Sequence, residues 1–219
     1  MSAEYADLDA NYVRWLPASR DATILDVGCG RGRVLAFLAG KGYTHLEGFD
    51  ADADAVAAAQ QRVQAPIALA SDWTEYLSAR RAAFDLIVLK DVLYYVPVDA
   101  VTSHLERVRD ALRPGGRVLI EVFNGAAYTG PFVAFKDDGI RWIPTEHTIR
   151  RALERAGFTA VTLLPHRPPL VSWKRIVFNI VAAAWRVVLR SIYFVERGFD
   201  DANPRILTTK IVAVANKPV

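Results

Sequence analysis

Three glycines fall within five positions, Gly28, Gly30 and Gly32, directly after the apolar run Ile24, Leu25, Val27 and directly before the helix-spaced Val34, Leu35, Phe37 and Leu38. A strand that turns through glycines into a helix is the tightest constraint this chain places on its own fold. It gathers backbone N–H groups and a helix N-terminus at one point, where side chains would block a ligand. The dinucleotide fingerprint G-x-G-x-x-G would need glycine at Arg33, so the spacing here is G-x-G-x-G. Asp26 stands two residues before the first glycine. A carboxylate there repels a pyrophosphate and suits a ligand with a positive ammonium group.

Short β-branched or apolar runs alternate with longer helical patterns, the rhythm of βα units around a parallel sheet. Strands are predicted near 22–28, 44–50, 66–70, 84–90, 115–123, 158–164 and 205–216, and helices near 3–16, 33–41, 53–63, 98–112, 145–156 and 173–197. With 219 residues, 52% hydrophobic and 23% charged, the chain suits one α/β domain with a sizeable core and not extended disorder. Residues 124–144 follow neither pattern, and a stretch that long in a compact domain reads as a loop or lid. The prolines of "PHRPP" end the sixth strand stiffly. A lone Cys29 forms no internal disulfide, and "MSAEYADLDANYVRW" lacks the basic-then-apolar order of a signal peptide, so a cytoplasmic location is expected.

The stretch "DVGCGRG" resembles the first motif of class I S-adenosylmethionine-dependent methyltransferases, and further segments match the family in order. In "LEGFDADADAV" Asp50 closes the second strand, where a carboxylate can accept both ribose hydroxyls, while Asp52 and Asp54 read as helix capping. In "ALASDWTEYL" the family commonly has an acid that bonds the adenine amino group and a neighbour packed near the ring, which implies those roles for Asp72 and Trp73. A helix cap and a core residue remain the alternative for that pair. "FDLIVLKDVLYYVP" resembles the fourth-strand motif, with Tyr94 and Tyr95 where many relatives show Glu-His, and "ALRPGGRVLIEVFN" resembles the turn and fifth strand. The resemblance implies a Rossmann-like seven-stranded sheet in order 3-2-1-4-5-7-6, with strand 7 antiparallel and helices on both faces. It implies one domain over 1–219, with a loop or lid at 124–144 and an amphipathic helical insertion at about 168–200. It implies S-adenosylmethionine as cofactor and S-adenosylhomocysteine as product, held by Asp26, Gly28, Cys29, Gly30, Asp50, Ala51, Asp72, Trp73 and Lys90.

Transfer of a methyl group to oxygen benefits from a general base. His147, in "IPTEHTIRRAL" after the irregular stretch, and Asp91, at the mouth of the fourth strand, are the catalytic candidates. A solvent-facing first-turn histidine is the alternative for His147, while His45 and His104 read as surface residues. Asp91 and Asn124 follow adjacent strands in a disposition that resembles magnesium-dependent catechol-type methyltransferases. Two oxygen ligands do not make a metal site, so metal-free catalysis is expected.

Residues 172–197 read "SWKRIVFNIVAAAWRVVLRSIYFVER". At about 100° per residue, Arg175, Asn179, Arg186, Arg190 and Arg197 fall in one stripe roughly 60° wide, with apolar side chains over nearly all the rest. The ten uncharged residues between Arg175 and Arg186 are about half the length that spans a bilayer. Three roles stand open: a lid clasped by the core and the 124–144 loop, a homodimer contact, or a peripheral contact with the inner membrane face. Residues 141–197 carry ten Lys/Arg against three Asp/Glu, whereas residues 1–60 carry five against nine. This rear segment is similar to bacterial methyltransferases associated with surface polysaccharide and lipopolysaccharide assembly, which implies O-methylation of a small-molecule or glycan hydroxyl. A catalytically silent partner of another enzyme is the rival from a different class. A net charge of +3 and the sequence "KDVL" in place of N/D-P-P-Y/F argue against a nucleic-acid substrate.

Overall fold

The structure is a computed structural model that describes residues 3–219. Seven strands form one sheet in the order 3-2-1-4-5-7-6. They are β1 (Thr23–Val27), β2 (His45–Asp50), β3 (Ile67–Leu69), β4 (Phe84–Lys90), β5 (Leu112–Phe123), β6 (Thr159–Pro165) and β7 (Lys210–Asn216). The first five run parallel, and β7 inserts antiparallel between β5 and β6. The central strands "TILDV" and "FDLIVLK" are apolar almost throughout because helices cover both faces of the sheet. The fold expected from the resemblance is the fold observed.

The helices are α1 (Ala6–Tyr12), α2 (Arg33–Gly40), α3 (Ala53–Arg62), α4 (Trp73–Ser78), α5 (Val101–Ala111), α6 (Gly130–Phe135), α7 (Glu146–Arg155) and α8 (Trp173–Arg197). One core layer packs Leu8, Tyr12, Leu35, Leu38 and Val56 against the sheet. The opposite layer packs Leu77, Leu105, Val108, Ile149 and Leu153.

Four local departures have physical causes. The predicted helix 3–16 is α-helical only over Ala6–Tyr12 and tightens to 3-10 turns on either side, ending before Pro17. Helix α4 was too short for its periodicity to register; Asp72 caps it by accepting from Thr74 N and Glu75 N. Helix α6 interrupts the 124–144 loop, with Pro131 in its first turn. The seventh strand begins at Lys210, not at 205, because side chains consume the preceding backbone. Glu146 accepts from the N–H groups of Arg205 and Ile206, and Asn124 Nδ2 donates to the carbonyls of Ile206 and Thr208.

The loop at 124–144 is fastened to the turn after β4: the N–H groups of Arg141 and Trp142 donate to the Tyr94 carbonyl, and Tyr95 Oη donates to Asp137. Helix α8 keeps its predicted bounds; only 6% of its most apolar 18-residue window is buried, and it touches the 124–144 loop where Tyr193 Oη donates to the Ala126 carbonyl at 3.3 Å.

Candidate functional site

The carboxyl ends of β1, β2 and β4 and the start of α4 surround a cavity of about 790 Å³, a size that suits a small ligand. Gly28, with φ 66°, is the floor of the β1–α2 turn; a Cβ there would lie 2.8 Å from Val92 Cγ2. Gly30 N donates to Asp50 Oδ2 at 2.7 Å, and Asp52 N donates to Asp50 Oδ1 at 3.0 Å. Those bonds aim the Asp50 carboxylate along the cavity wall and use one acceptor site on each oxygen, leaving the others for a diol. Gly28, Asp50 and Ala51 line the cavity directly, whereas Cys29 is buried beneath it. Burial first, then Asp26 and Asp50, push the Cys29 thiol up to about 12, so it is no nucleophile.

Asp26 is 1% exposed, and neither of its oxygens has a hydrogen-bond partner among the described residues. Burial raises its pKa to about 8; Lys90 opposes the shift and Asp50 adds to it. An unpaired buried carboxylate calls for a proton or a cation. Across the cavity Asp72 caps α4 through Oδ1. Trp73 is buried yet reaches the wall, its ring centroid 5.0 Å from that of His104. His104 therefore faces the cavity and is not the surface residue expected. Its signal is the single polar ring on the α5 face that meets α4, a pairing only the tertiary fold creates.

Asp91 takes a left-handed backbone, φ 59°, at the end of β4, fixed by its N–H donating to the Glu121 carbonyl at 2.9 Å. Its Oδ2 accepts from Lys90 Nζ at 2.5 Å and Lys210 Nζ at 2.6 Å, while Oδ1 is buried without a partner. Behind it Glu121, 1% exposed, accepts from Lys210 Nζ and Tyr12 Oη, each at 2.8 Å. Lys90 Nζ lies 3.1 Å from Glu121. Burial alone would raise the Glu121 carboxyl, but Lys210, Lys90 and His166 hold it at about 2. Burial opposes the charge on Lys90, yet Glu121 and Asp91 raise its pKa. Lys90 thus serves the Asp91–Glu121 cluster and is not among the residues lining the cavity.

His147 is also outside the cavity wall; its Nε2 lies 3.9 Å from Glu146, whose oxygens hold the backbone at 205–206. Of the two catalytic candidates only Asp91 is among the residues that line the cavity. Asn124 spends both polar atoms on the backbone, Oδ1 accepting from Ala126 N. Among the described residues no cluster of three or more His, Cys, Asp or Glu side chains is arranged to hold a metal.

A family model described as a methyltransferase domain matches residues 3–163. A tRNA U34 carboxymethyltransferase of Azotobacter vinelandii is 28% identical over 153 residues, 65% of this chain and 47% of that protein. The chain spans less than half the length of the curated relatives it matches. A SAM-dependent methyltransferase from Archaeoglobus fulgidus has the same fold, with TM-score 0.69 and 19% identity over 99% of this chain and 95% of that one. A Haemonchus contortus phosphoethanolamine N-methyltransferase 2, in complex with phosphomonomethylethanolamine and S-adenosylhomocysteine, also has TM-score 0.69, at 18% identity over 97% of this chain and 52% of that one.

Proposed function

The chain belongs to the methyltransferase domain family, and from that premise we propose that it methylates a hydroxyl of a small molecule or glycan, using S-adenosylmethionine. The observation that carries the cofactor assignment is Asp26, a buried carboxylate with no internal partner beside a cavity walled by Asp50 and Asp72. A cationic nucleoside supplies what that crevice lacks: an ammonium for the field of Asp26, a diol for Asp50 and a flat ring for Trp73. Gly28, Cys29, Gly30 and Ala51 contribute backbone that can approach the ligand closely. S-adenosylmethionine bound there supplies an activated methyl group and leaves as S-adenosylhomocysteine.

Asp91 is the residue for the acceptor side. Lys90 and Lys210 fix its Oδ2, and Oδ1, buried without a partner, is the acceptor left for the proton of a hydroxyl seated against it. Val92, Val96 and Pro97 wall the same mouth with apolar surface that excludes water. The proposed unit is one domain over 1–219 acting in the cytoplasm.

Two measurements test this reading. Calorimetry with S-adenosylmethionine is expected to show Asp50→Ala weakening binding by one to two orders of magnitude, the loss of charged hydrogen bonds worth roughly 1.5–3 kcal/mol. Unchanged affinity overturns the site. Incubation with methyl-labelled S-adenosylmethionine and a host extract is expected to place label in a small-molecule or glycan fraction. The similarity to tRNA U34 carboxymethyltransferases favours a second reading, a nucleoside acceptor, which label in the tRNA fraction would establish. No label in any fraction would leave a silent binding partner.

A further inference from the structure

Helix α8 is amphipathic the wrong way round for a soluble protein. Its inward seam is Asn179, Ala182, Arg186, Leu189 and Tyr193, of which only Leu189 is fully buried. At about 100° per residue, Arg175, Arg190 and Arg197 flank that same side, so the polar stripe faces the domain and the apolar circumference faces out. Ile180 is 65% exposed, Val187 62% and Val195 82%. The exposed apolar surface continues onto the neighbouring loop, where Tyr128 meets Trp185 edge-on at 5.6 Å and Phe132 and Phe135 of α6 are exposed. A soluble chain rarely leaves a contiguous face of this kind uncovered.

Under the helix lies a second feature that the methyl-transfer site does not use. Two adjoining hollows share His166, Pro168, Asn179, Arg186 and Leu207, and between them bring Arg167, Arg175, Arg190 and Arg205 to the same place. Among the described residues none of these five arginines has a carboxylate within 4 Å. Asp200 and Asp201 border only the outer side, near Arg190 and Arg205, and Asp200 is already paired with Arg197. Asn179 Oδ1 is buried there without a partner. An unneutralised cationic hollow directly beneath an apolar ledge matches an anionic phosphate whose other end is hydrocarbon.

We propose that α8 docks the protein on the surface of a bilayer rich in anionic phospholipid, its outer face in the acyl boundary and the arginine hollow taking lipid phosphate. By length and composition the helix could cross a bilayer. The arginine stripe along its whole length, packed toward the domain, fits a helix lying in the interface instead. A second copy is the poorer occupant, because pairing through the outward apolar face would bring no anion to the arginines of the hollow. Exposed Trp173, Tyr128 and Trp185 at the edge of the patch suit the headgroup region.

Flotation of the full chain with phosphatidylcholine vesicles, with and without phosphatidylglycerol, tests this. The native chain is expected to float with the mixed vesicles about tenfold more than with phosphatidylcholine alone, and less in high salt. Val181→Glu with Val188→Glu, on the outer face, and Arg186→Gln with Arg190→Gln, in the hollow, are each expected to cut flotation about tenfold. Circular dichroism melting and S-adenosylmethionine affinity should be unchanged in both, which separates lost docking from lost folding and from failure of the methyl-transfer reading. No flotation of the native chain, flotation indifferent to the Val181→Glu/Val188→Glu pair, or a lipid-free dimer that this pair dissociates overturns the proposal.

Discussion

A carboxylate sealed from water without a hydrogen-bond partner holds a proton until a cation arrives, and Asp26 is in that position with its pKa raised to about 8. Ligand binding that places an ammonium in its field must then expel the proton. Affinity for S-adenosylmethionine is expected to rise with pH by up to about tenfold per unit as pH approaches 8 from below, because one proton leaves Asp26 per ligand bound. Calorimetry across that range in buffers of different ionisation enthalpy reads the proton directly. Asp26→Asn should abolish the slope; a slope that survives the substitution refutes the linkage. The position of Asp26 was legible because a charged residue two before a glycine turn stands out in an apolar strand. The partners of Asp91 were not: Lys210 lies 119 residues further along the chain, and no local pattern announces a pairing of that range. That His147 lies outside the cavity wall was not legible either, since its place after a loop does not fix its position relative to the site.

At the scale of elements, the β1–α2 turn shows why two glycines that look alike in sequence differ in consequence. Gly28 and Gly30 both hold positive φ, at 66° and 52°, but a Cβ at Gly28 would meet Val92 Cγ2 at 2.8 Å whereas one at Gly30 meets open space. Gly30→Ala is expected to cost about 1 kcal/mol, the penalty for a left-handed L-residue. Gly28→Ala adds a clash between β1 and the segment after β4, and is expected to cost about 1–3 kcal/mol more. Urea denaturation of the two variants compares them, and equal midpoints would show that Val92 moves aside freely. The long elements declared themselves through periodicity and caps, α8 to its terminal residues. The six-residue α4 and α6 gave too few turns for a period to register. The start of β7 was misjudged because Glu146 and Asn124, remote in sequence, capture the backbone that the apolar run would otherwise have offered to the sheet.

The whole molecule closes around Glu121. This one carboxylate joins β5, where it sits, to α1 through Tyr12, to β4 through Lys90 and to β7 through Lys210, with His166 after β6 at 3.9 Å. The match to the methyltransferase domain ends at residue 163, within β6, so the cluster also ties the matched part of the chain to the strand that follows α8. The order 5-7-6 could be expected from the resemblance; the buried ion cluster that fastens it could not, because "LIEVF" shows only a lone acid in an apolar strand. A folded pKa of about 2 against an ordinary 4.5 means that Glu121 contributes stability above pH 4.5 and loses it as pH falls toward 2. The amount is about 3 kcal/mol, and the raised pKa of Lys90 is the same attraction seen from its other partner, not a second contribution. Asp26 acts with the opposite sign, since its protonated form favours the folded state, but that gain is complete by its unfolded value of 3.8. Below that pH the acid limb therefore contains the Glu121 loss with no offset from Asp26. Glu121→Gln should lower stability near neutral pH by about 3–5 kcal/mol, because it leaves Lys90 and Lys210 facing one another without their shared buried carboxylate. It should also flatten the fall between pH 4.5 and 2. Urea titrations of both proteins at several pH values measure each effect; parallel acid limbs would mean that the seven-stranded sheet is held closed by its apolar layers alone.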